Sequence, residues 1–304
     1  MPVPRIVVVG SINSDVTVAV SRFPAVGETI QGDSVTFGPG GKGLNQAVAI
    51  ALSGARCQMI AAVGGDQAGA DILKFLKANG VITDYISTEP GELTGAAYIT
   101  LAAGENHIVT LPGANARVTA HRLTAAAPAF EGAAAVVVQG ELPLATTEAA
   151  IAIAARLGVR PIVNMAPVQS LSAAGISVAD PLVLNEIEAA ELLDEPPVTS
   201  VAQAGRLATS LLDKTRSAVI TLGDQGAVIA EQDTGPIHIP ARQVANVVDT
   251  VGAGDAFVGV LAAGLAQGLP LAQAAQAGNA AAADAITRRG AAPSYRDFSH
   301  FLKP

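Results

Sequence analysis

Cysteine and aromatic residues are scarce in this sequence. It has one cysteine, Cys57, no tryptophan, and only 3% aromatic residues among 304. A single cysteine excludes a disulfide bond within the chain, and the apolar-leaning surroundings of Cys57, residues 56 to 63, predict a buried and unreactive side chain. Half of the residues are hydrophobic but few are aromatic, so the core must consist mainly of Ala, Val, Leu and Ile.

Long hydrophobic runs and clusters of positive charge are missing as well. The apolar run near the N-terminus, Ile6 to Val9, is shorter than the roughly 7 to 15 residues of a signal peptide. No run elsewhere reaches the roughly 18 residues of a membrane span. The formal net charge is −8 and no block of Lys or Arg occurs, which argues against a surface for nucleic acid or anionic lipid. We therefore expect a cytoplasmic protein that binds a small molecule, and neither nucleic acid nor membrane.

Short β-branched segments alternate with Ala-rich segments of helical periodicity. The strand-like segments are Ile6 to Val9, Ala135 to Val138, Pro161 to Asn164, Pro181 to Leu184 and Ala218 to Leu222. The alternation predicts an α/β fold with a mostly parallel sheet and right-handed crossovers. Residues 15–37 and 93–111 break the rhythm and predict a small β-rich lid. No repeat or linker divides the chain, so residues 1–304 are expected to form a single domain.

A distinctive local pattern, Asp-Thr-Val-Gly-Ala-Gly-Asp-Ala-Phe, runs from Asp249 to Phe257 and leads into an apolar helical pattern. Small residues at positions 252 to 254 would let backbone amides approach an oxyanion at a helix start, where the helix dipole favours negative charge. Asp255, next in line, would accept a proton from an incoming hydroxyl group. The pattern fits equally an ordinary glycine-rich turn with a carboxylate in the first helical turn.

A second glycine-rich loop, Gly38 to Gln46, runs directly into an Ala-rich helix. It matches G-x-G-x-x-G, but a dinucleotide site is disfavoured because the loop does not close the first βα unit and Pro39 lies inside the turn. No Ser or Thr follows Lys42, so the loop is not a Walker A motif. A sugar-binding loop fits better, with Lys42 and Asn45 presenting hydrogen-bond donors to hydroxyl groups.

Two further polar clusters follow predicted strands. Asn13 and Asp15 come just after the first strand, at the edge where open α/β sheets bind ligands, and would face one cleft. An Asx turn is the alternative for this pair. Asn185 and Glu188 follow another strand, and their spacing places both near one face of a first helical turn. Their oxygens suit hydrated Mg²⁺, and the alternative is a reciprocal cap of the helix N-terminus.

As a set, these residues resemble the PfkB family of carbohydrate kinases over nearly the whole chain. Six motifs occur in order: Gly10-Ser11-Ile12-Asn13-x-Asp15, Phe23-Pro24-x-x-Gly27-Glu28-Thr29, Gly40-Gly41-Lys42-Gly43-x-Asn45-Gln46-Ala47, Asn185-Glu186-x-Glu188, Thr221-Leu222-Gly223-x-x-Gly226, and Val248-Asp249-Thr250 through Gly254-Asp255. The resemblance implies a ribokinase-like fold, in which a Rossmann-like αβα sandwich with a mostly parallel central sheet carries a small β-sheet lid over the sugar. It also implies a homodimer that forms through the lid.

The resemblance further implies roles for individual residues. The sugar would be bound by Asn13, Asp15, Gly41, Lys42, Asn45 and Glu141, with Asp255 as catalytic base beside an anion hole formed by Gly252, Ala253 and Gly254. ATP would contact Asn185, Thr221, Gly223, Gly226, Gly254 and Asn279, and Mg²⁺ would be held through water by Asn185 and Glu188. An activating K⁺ would lie in a loop formed by Asp249, Val251, Ala285, Arg288, Gly290 and Ser294.

The reaction implied is ATP-dependent phosphorylation of a pentose, with conversion of D-ribose to D-ribose 5-phosphate as the leading expectation. A phosphosugar substrate is disfavoured because the lid segments and the glycine loop offer only Arg22 and Lys42 as cations. A kinase of nucleosides or of another sugar is the alternative, although the lid supplies only Phe23, Phe37 and Tyr98 as aromatic faces. A non-catalytic sugar or nucleotide sensor is disfavoured because the catalytic motif is intact.

Overall fold

The structure is a computed structural model that describes residues 3–103 and 105–303. The strands are β1 Arg5–Val9, β2 Asn13–Ala19, β3 Ser34–Gly40, β4 Arg56–Gly64, β5 Ile82–Glu89, β6 Gly95–Ala102, β7 Glu105–Leu111, β8 Ala135–Gln139, β9 Arg160–Asn164, β10 Leu182–Asn185, β11 Ser217–Thr221, β12 Ala227–Glu231 and β13 Gly235–Ile239. Within the described residues, nine of them form one sheet in the order β13-β12-β11-β10-β9-β8-β1-β4-β5. The strands from β11 to β5 pair in parallel, and β12 and β13 add an antiparallel edge.

Helices cover both faces of this sheet. They are α1 Lys42–Leu52, α2 Gln67–Ala78, α3 Ala120–Ala125, α4 Ala127–Phe130, α5 Leu144–Arg156, α6 Ala173–Ser177, α7 Glu186–Leu193, α8 Val201–Leu211, α9 Ala253–Ala266 and α10 Leu271–Ala285. Alternate residues of β1 point into two separate cores: Ile6 and Val8 pack with α1, α2, α9 and α10, and Val7 and Val9 pack with α5, α7 and α8. Strands that are buried on both faces typically have sequences of consecutive Val, Ile and Leu residues. The predicted αβα sandwich is confirmed.

The second sheet has four strands in the described residues, in the order β3-β2-β6-β7. These strands occupy the segments 15–37 and 93–111 that the sequence predicts as a lid, and they extend to Asn13 and Gly40. Asp15 lies in register with Gly38 and Ala97, so these residues share one face of the sheet. The adjacent register row, Phe37, Val16, Tyr98 and Val109, therefore lies on the opposite face.

Two expectations, one about the single cysteine and one about the lack of long hydrophobic runs, can be compared with the structure. The side chain of Cys57 is fully buried in β4, and burial raises the pKa of its thiol, as the prediction of an unreactive core residue requires. Across residues 3–103 and 105–303, none of the helices has the length and apolar character needed to cross a lipid bilayer.

Candidate active site

A cleft of about 130 Å³ opens where strands β9, β10 and β11 end. Its lining joins three segments that are far apart in the sequence: the glycine loop before α1, the start of α7 and the start of α9. The lining residues are Lys42, Asn164, Ala166, Val183, Leu184, Asn185, Glu188, Thr221, Gly252, Gly254, Asp255 and Val258. Parallel strands bring such distant residues together because their carboxyl ends meet at one edge of the sheet.

The start of α9 forms the turn that the Gly-Ala-Gly-Asp pattern predicts. Gly252 caps the helix with φ of 78°, and a Cβ at this position would lie 2.5 Å from the Ala291 side chain, so only glycine fits. In the described part of the chain, the amides of Gly252, Gly254 and Asp255 have no hydrogen-bond acceptor. The Ala253 amide, by contrast, donates to the Thr250 carbonyl at 3.2 Å. Three amides and the positive end of the helix dipole thus remain for an anion.

The Gly252 carbonyl on this turn accepts two hydrogen bonds. One comes from the Ala256 amide at 2.9 Å and the other from the Tyr295 hydroxyl. Tyr295 is only 8% exposed and its ring packs against Phe298 at 5.5 Å. Burial and the nearby Asp255 carboxylate raise the pKa of the Tyr295 hydroxyl well above its ordinary value, so it stays a donor. Tyr295 was not predicted from the sequence.

Asp255 lies in the first turn of α9 and is only 8% exposed. Its Oδ2 accepts a hydrogen bond from Asn45 Nδ2 at 2.9 Å, and its Oδ1 accepts one from Gln46 Nε2 at 2.9 Å. Asn45 was predicted as a sugar ligand, and its side-chain NH₂ group thus donates to the Asp255 carboxylate. Its Oδ1 accepts from the Ala292 amide at 3.4 Å. Gln46 belongs to a recognised motif, but no role was predicted for it.

Lys42 and Glu141 meet at the N-terminus of α1. Glu141 Oε2 accepts the Lys42 backbone amide at 2.9 Å and also the Ser11 hydroxyl, which places a carboxylate where the helix dipole favours it. Burial by itself would lower the pKa of the Lys42 side chain, but the carboxylates of Asp255, Glu141 and Glu188 raise it above its ordinary value. Lys42 therefore carries a fixed positive charge into the cleft.

Asp15, on β2, has a strongly perturbed carboxyl group. Burial, reinforced by the carboxylates of Glu141 and Asp255, raises the pKa of Asp15 to about 7. Its Oδ1 is buried and has no hydrogen-bond partner among the described residues. An unpaired buried carboxylate oxygen is unfavourable unless a ligand supplies a donor. The structure therefore groups Asp15 electrostatically with Glu141 and Asp255.

Asn13 is fixed by a residue that the sequence did not reveal. Its Oδ1 accepts from Asn115 Nδ2 at 2.9 Å. The Asn115 side chain also bonds the backbone of Ile12 twice, accepting from N at 2.9 Å and donating to O at 3.0 Å. Asn115 lies in a short 3-10 turn, Gly113–Arg117, that follows β7. No sequence signal links it to Asn13, because the contact spans 102 residues.

The reciprocal cap considered as an alternative for Asn185 and Glu188 is present. Asn185 Oδ1 accepts from the Glu188 amide at 2.8 Å, and Glu188 Oε2 accepts from the Asn185 amide at 2.8 Å. Both residues also line the cleft. Burial raises the pKa of Glu188, although its hydrogen bond from Asn185 and the charge of Lys42 oppose the shift. The cap thus holds a carboxylate at the cleft wall.

The four other predicted ATP residues surround the ends of β11 and β13. Thr221 ends β11 and lines the cleft, while Gly223 and Gly226 bound a tight turn with φ of 55° and 90°. Asn279, on α10, donates through Nδ2 to the carbonyls of Ile239 at 2.9 Å and Pro240 at 3.2 Å. Asn279 therefore holds the chain segment that leaves β13.

Asp249, one of the residues predicted to hold a cation, accepts hydrogen bonds from two backbone amides. Asp249 Oδ1 accepts the Val251 amide at 3.0 Å, and its Oδ2 accepts the Gly290 amide at 2.8 Å. Arg288 forms an ion pair with Asp284, and its Nε donates to the Ser294 carbonyl at 2.8 Å. Ala285, the remaining predicted position, ends α10 beside this segment. The charge of Arg288 is thus paired with Asp284.

Clusters of metal-binding side chains are a separate question. No group of three or more His, Cys, Asp or Glu residues arranged to hold a metal ion occurs in the described ranges, 3–103 and 105–303.

The amide-lined helix start, the buried carboxylate in its first turn and the cleft at the sheet edge define an enzyme that transfers a phosphoryl group to a hydroxyl group. Residues 3–297 match the pfkB family carbohydrate kinase model, and the chain belongs to this family of carbohydrate kinases. The family resemblance deduced from six motifs is thereby confirmed.

Relatives and solved structures agree with this assignment. The chain is 37% identical over 296 residues to ribokinase of Mus musculus, covering 95% of this chain and 91% of the relative. It is 37% identical over 287 residues to ribokinase of Bacillus subtilis, covering 94% of each. The structure of Arabidopsis thaliana ribokinase complexed with ribose and ATP is similar with a TM-score of 0.91 and 28% identity, covering 99% of both chains.

Proposed function

We propose that this carbohydrate kinase phosphorylates D-ribose with ATP to give D-ribose 5-phosphate. The observation that carries the proposal is the electrostatic grouping of the half-buried Asp15 carboxyl group with the buried Asp255 carboxylate, which lies in an amide-lined helix start. Asp15 has an unpaired oxygen for a sugar hydroxyl, and Asp255 lines the cleft beside the free amides. Relatives named ribokinase and the similarity to a ribokinase complexed with ribose and ATP support the pentose as substrate.

Asp255 acts as the general base in this proposal. Its carboxylate, held by Asn45 and Gln46, would take the proton from the attacking hydroxyl group as the phosphoryl group is transferred. The amides of Gly252, Gly254 and Asp255 would stabilise the negative charge on the transferring group. These three amides differ from the predicted anion hole, which included Ala253 and not Asp255. The Ala253 amide already donates to the Thr250 carbonyl.

The sugar would be bound by Asn13, Asp15, Gly41, Lys42, Asn45 and Glu141. Asp15 offers the unpaired acceptor and Lys42 a positive charge that three carboxylates stabilise. Asn13 and Glu141 are already oriented, by Asn115 and by the start of α1. We propose that the whole chain is one kinase domain and that the second sheet covers the sugar as a lid, with the face of Asp15 inward.

The nucleotide would lie along Asn185, Thr221, Gly223, Gly226, Gly254 and Asn279, from the cleft to the segment held by α10. Mg²⁺ would neutralise the phosphate oxygens. Asn185 and Glu188 fit a hydrated ion because their cap places side-chain oxygens at the cleft wall. Turnover should therefore stop in excess EDTA and return when Mg²⁺ is restored.

A K⁺ ion would fit the loop around Asp249. Arg288 is neutralised by Asp284, which leaves the Asp249 carboxylate as the charge that balances a cation. Val251 and Gly290 are bonded to that carboxylate, so their backbones are arranged around it. An ion here would stabilise the turn that carries the free amides. Ala285 and Ser294 complete the proposed loop.

A homodimer through the lid is supported by the apolar outer face of the second sheet. Phe37 is 73% exposed, Tyr98 49% and Val109 62%, all in one register row. Exposed apolar rows of this kind are typical of protein interfaces. We propose that a second copy of the chain covers this face and that the dimer works in the cytoplasm.

A substrate screen tests the proposed reaction. ADP formation would be measured in a coupled assay with D-ribose, 2-deoxyribose, hexoses and nucleosides, and ribose should give the highest kcat/KM. The deoxyribose arm is informative because the chain is also 32% identical over 299 residues to a deoxyribokinase of Salmonella typhi. If 2-deoxyribose or a nucleoside gave a higher kcat/KM than ribose, the proposal that ribose is the substrate would be wrong. The assignment to the carbohydrate kinase family would not change.

A further inference from the structure

Gln46 lies at the centre of a buried chain of side-chain amides that ends on the Asp255 carboxylate. Its side chain has 0% exposure. Nε2 donates to Asp255 Oδ1 and to Asn164 Oδ1, both at 2.9 Å, and Oε1 accepts from Gln139 Nε2 at 2.8 Å. Both amide hydrogens and the carbonyl oxygen are used, so the Gln46 amide has a single favourable orientation.

The direction of this chain follows from the chemistry of its ends. An ionised carboxylate only accepts hydrogen bonds, so Gln46 must turn its NH₂ group toward Asp255 and its oxygen toward Gln139. Gln139 must then present its own NH₂ group. Asn164 is oriented independently, because its Nδ2 donates to the Val183 carbonyl at 3.2 Å and leaves Oδ1 for Gln46. Two separate partners therefore require the same orientation of Gln46.

At the far end of this series of side-chain amides, the arrangement leaves one buried acceptor without a hydrogen bond. Gln139 Oε1 is buried and lacks a hydrogen-bond partner in the part of the chain that the structure describes. Turning the Gln139 amide over would set two carbonyl oxygens against each other, so the unpaired acceptor follows from supplying a donor to Gln46. Gly10 provides the space, since a Cβ there would lie 2.2 Å from Gln139 Oε1. A local loss of stability that serves a reactive carboxylate is typical of a functional site.

We propose that Gln46 is a positioning residue for the phosphoryl-transfer reaction and acts through Asp255 without touching sugar or ATP. Asn45 binds Oδ2 and Gln46 binds Oδ1, so the carboxylate plane is held at both oxygens. Its free lone pairs are thereby fixed relative to the attacking hydroxyl group. Without the Gln46 donor the carboxylate can rotate, and proton transfer loses its geometry. This inference rests on the proposed function, because it takes Asp255 as the base.

The variant Gln46→Met keeps the length of the side chain and removes both donors. If Gln46 positions the base, kcat should fall by about 10- to 100-fold, the loss expected from a misplaced catalytic group. The Kd values for D-ribose and for ATP, measured by calorimetry on the full chain, should stay within about threefold of wild type. If Gln46 only fills the core, the apolar Met should preserve kcat, and that result would overturn the proposal.

A matched control and a double variant separate this role from a general packing defect. Gln58→Met makes the same change at a buried glutamine on β4 that contacts Arg5 at 3.4 Å, and it should leave kcat unchanged. Adding Gln46→Met to Asp255→Asn should lower kcat by less than about twofold, because the residue it positions is already gone. An equal fold-loss in both backgrounds would contradict the proposal. Full turnover of Asp255→Asn alone would instead contradict the proposed function.

The variant Gln46→Glu gives a second test should Gln46→Met lower the Tm too far for assay. It has the same shape but sets a carboxyl group against Asp255. That group repels the base when ionised and can donate one hydrogen bond when protonated. The ratio of variant to wild-type kcat should therefore rise as the pH falls. A ratio that does not change with pH would overturn the proposal.

Discussion

Asp15 carries a carboxyl group whose ionisation the fold opposes. Burial and two nearby carboxylates raise its pKa to about 7, from 3.8 in the absence of the folded environment. Between these two values the folded protein binds more protons than the unfolded chain, so stability falls as the pH rises through this window. The sugar-free protein is therefore less stable with Asp15 ionised, and hydroxyl donors from a bound sugar would relieve that penalty.

We expect Asp15→Asn to weaken D-ribose binding and to stabilise the sugar-free protein above pH 7. The loss of a hydrogen bond to a charged group is worth about 1.5–3 kcal/mol, so the Kd for ribose should rise roughly 10- to 100-fold. In the wild type the Kd should fall by about tenfold between pH 6 and pH 8, as Asp15 ionises. Calorimetry and thermal unfolding across this range measure both effects, and Asp33→Asn, at an exposed lid residue, is the control.

A wild-type Kd that does not change between pH 6 and pH 8 would contradict the role of the ionised Asp15 as a hydroxyl acceptor. Equal Tm values for the wild type and Asp15→Asn at pH 8 would contradict the electrostatic penalty itself.

Single residues were predictable from the sequence where their chemistry depends on near neighbours. The cap of Asn185 by Glu188 needs only a spacing of three residues, and the Gly252 turn needs only small residues before a helix. The hydrogen bond between Gln46 and Asn164 joins residues that are 118 positions apart in the sequence. Such a contact arises when α1 packs against the sheet, and a local sequence pattern does not predict it. The positioning residues were missed for this reason.

At the level of elements, the start of α9 and the segment after α10 form one unit. Tyr295 donates to the Gly252 carbonyl, and Asp249 binds the amides of Val251 and Gly290. Anything that orders this segment therefore also orders the amides that we propose to meet the phosphoryl group. A cation bound in the loop should act on the chemical step more than on ATP affinity.

We expect K⁺ to raise kcat by about tenfold over tetramethylammonium at constant ionic strength, since a change of about 1.4 kcal/mol in the barrier is sufficient. Na⁺ and Li⁺ should activate less, and the KM for ATP should change little. Asp249→Asn should remove the difference between ions. Equal kcat in all four salts would exclude activation by a cation in this loop.

Elements were predictable where strands are rich in β-branched residues and helices have an apolar face. The segments containing β1, β8 and β10 were identified in this way. Strand β4 contains Gln58, Met59 and two alanines, so its apolar character alone did not distinguish strand from helix. Strand β13 contains Gly235 and Pro236, which normally argue against a strand, but it lies at the sheet edge where proline is tolerated.

For the whole molecule, the outer face of the second sheet should control assembly. Phe37→Glu would place a charge in the apolar row with Val16 and Tyr98. We expect light scattering after gel filtration to give the mass of two chains for wild type and of one chain for the variant. Leu157→Glu, at an exposed leucine after α5, is the control and should stay dimeric. A wild type with the mass of one chain would contradict the proposed dimer.

The architecture as a whole was predictable because six motifs fix the order of loops around one sheet. The identity of the sugar was less accessible, since Asn13, one of the residues proposed to bind it, is held by Asn115, which has no local signature. Motifs therefore identify the reaction more directly than the substrate.

Turnover of Asp255→Asn tests the central claim most directly. Steady-state ADP formation with D-ribose and ATP would be measured for wild type and variant, together with the Kd of each substrate. If Asp255 is the base, kcat should fall by at least about 100-fold, as is typical for loss of a general base, with both Kd values within about tenfold. A variant that turns over at nearly the wild-type rate would contradict the mechanism proposed for this carbohydrate kinase.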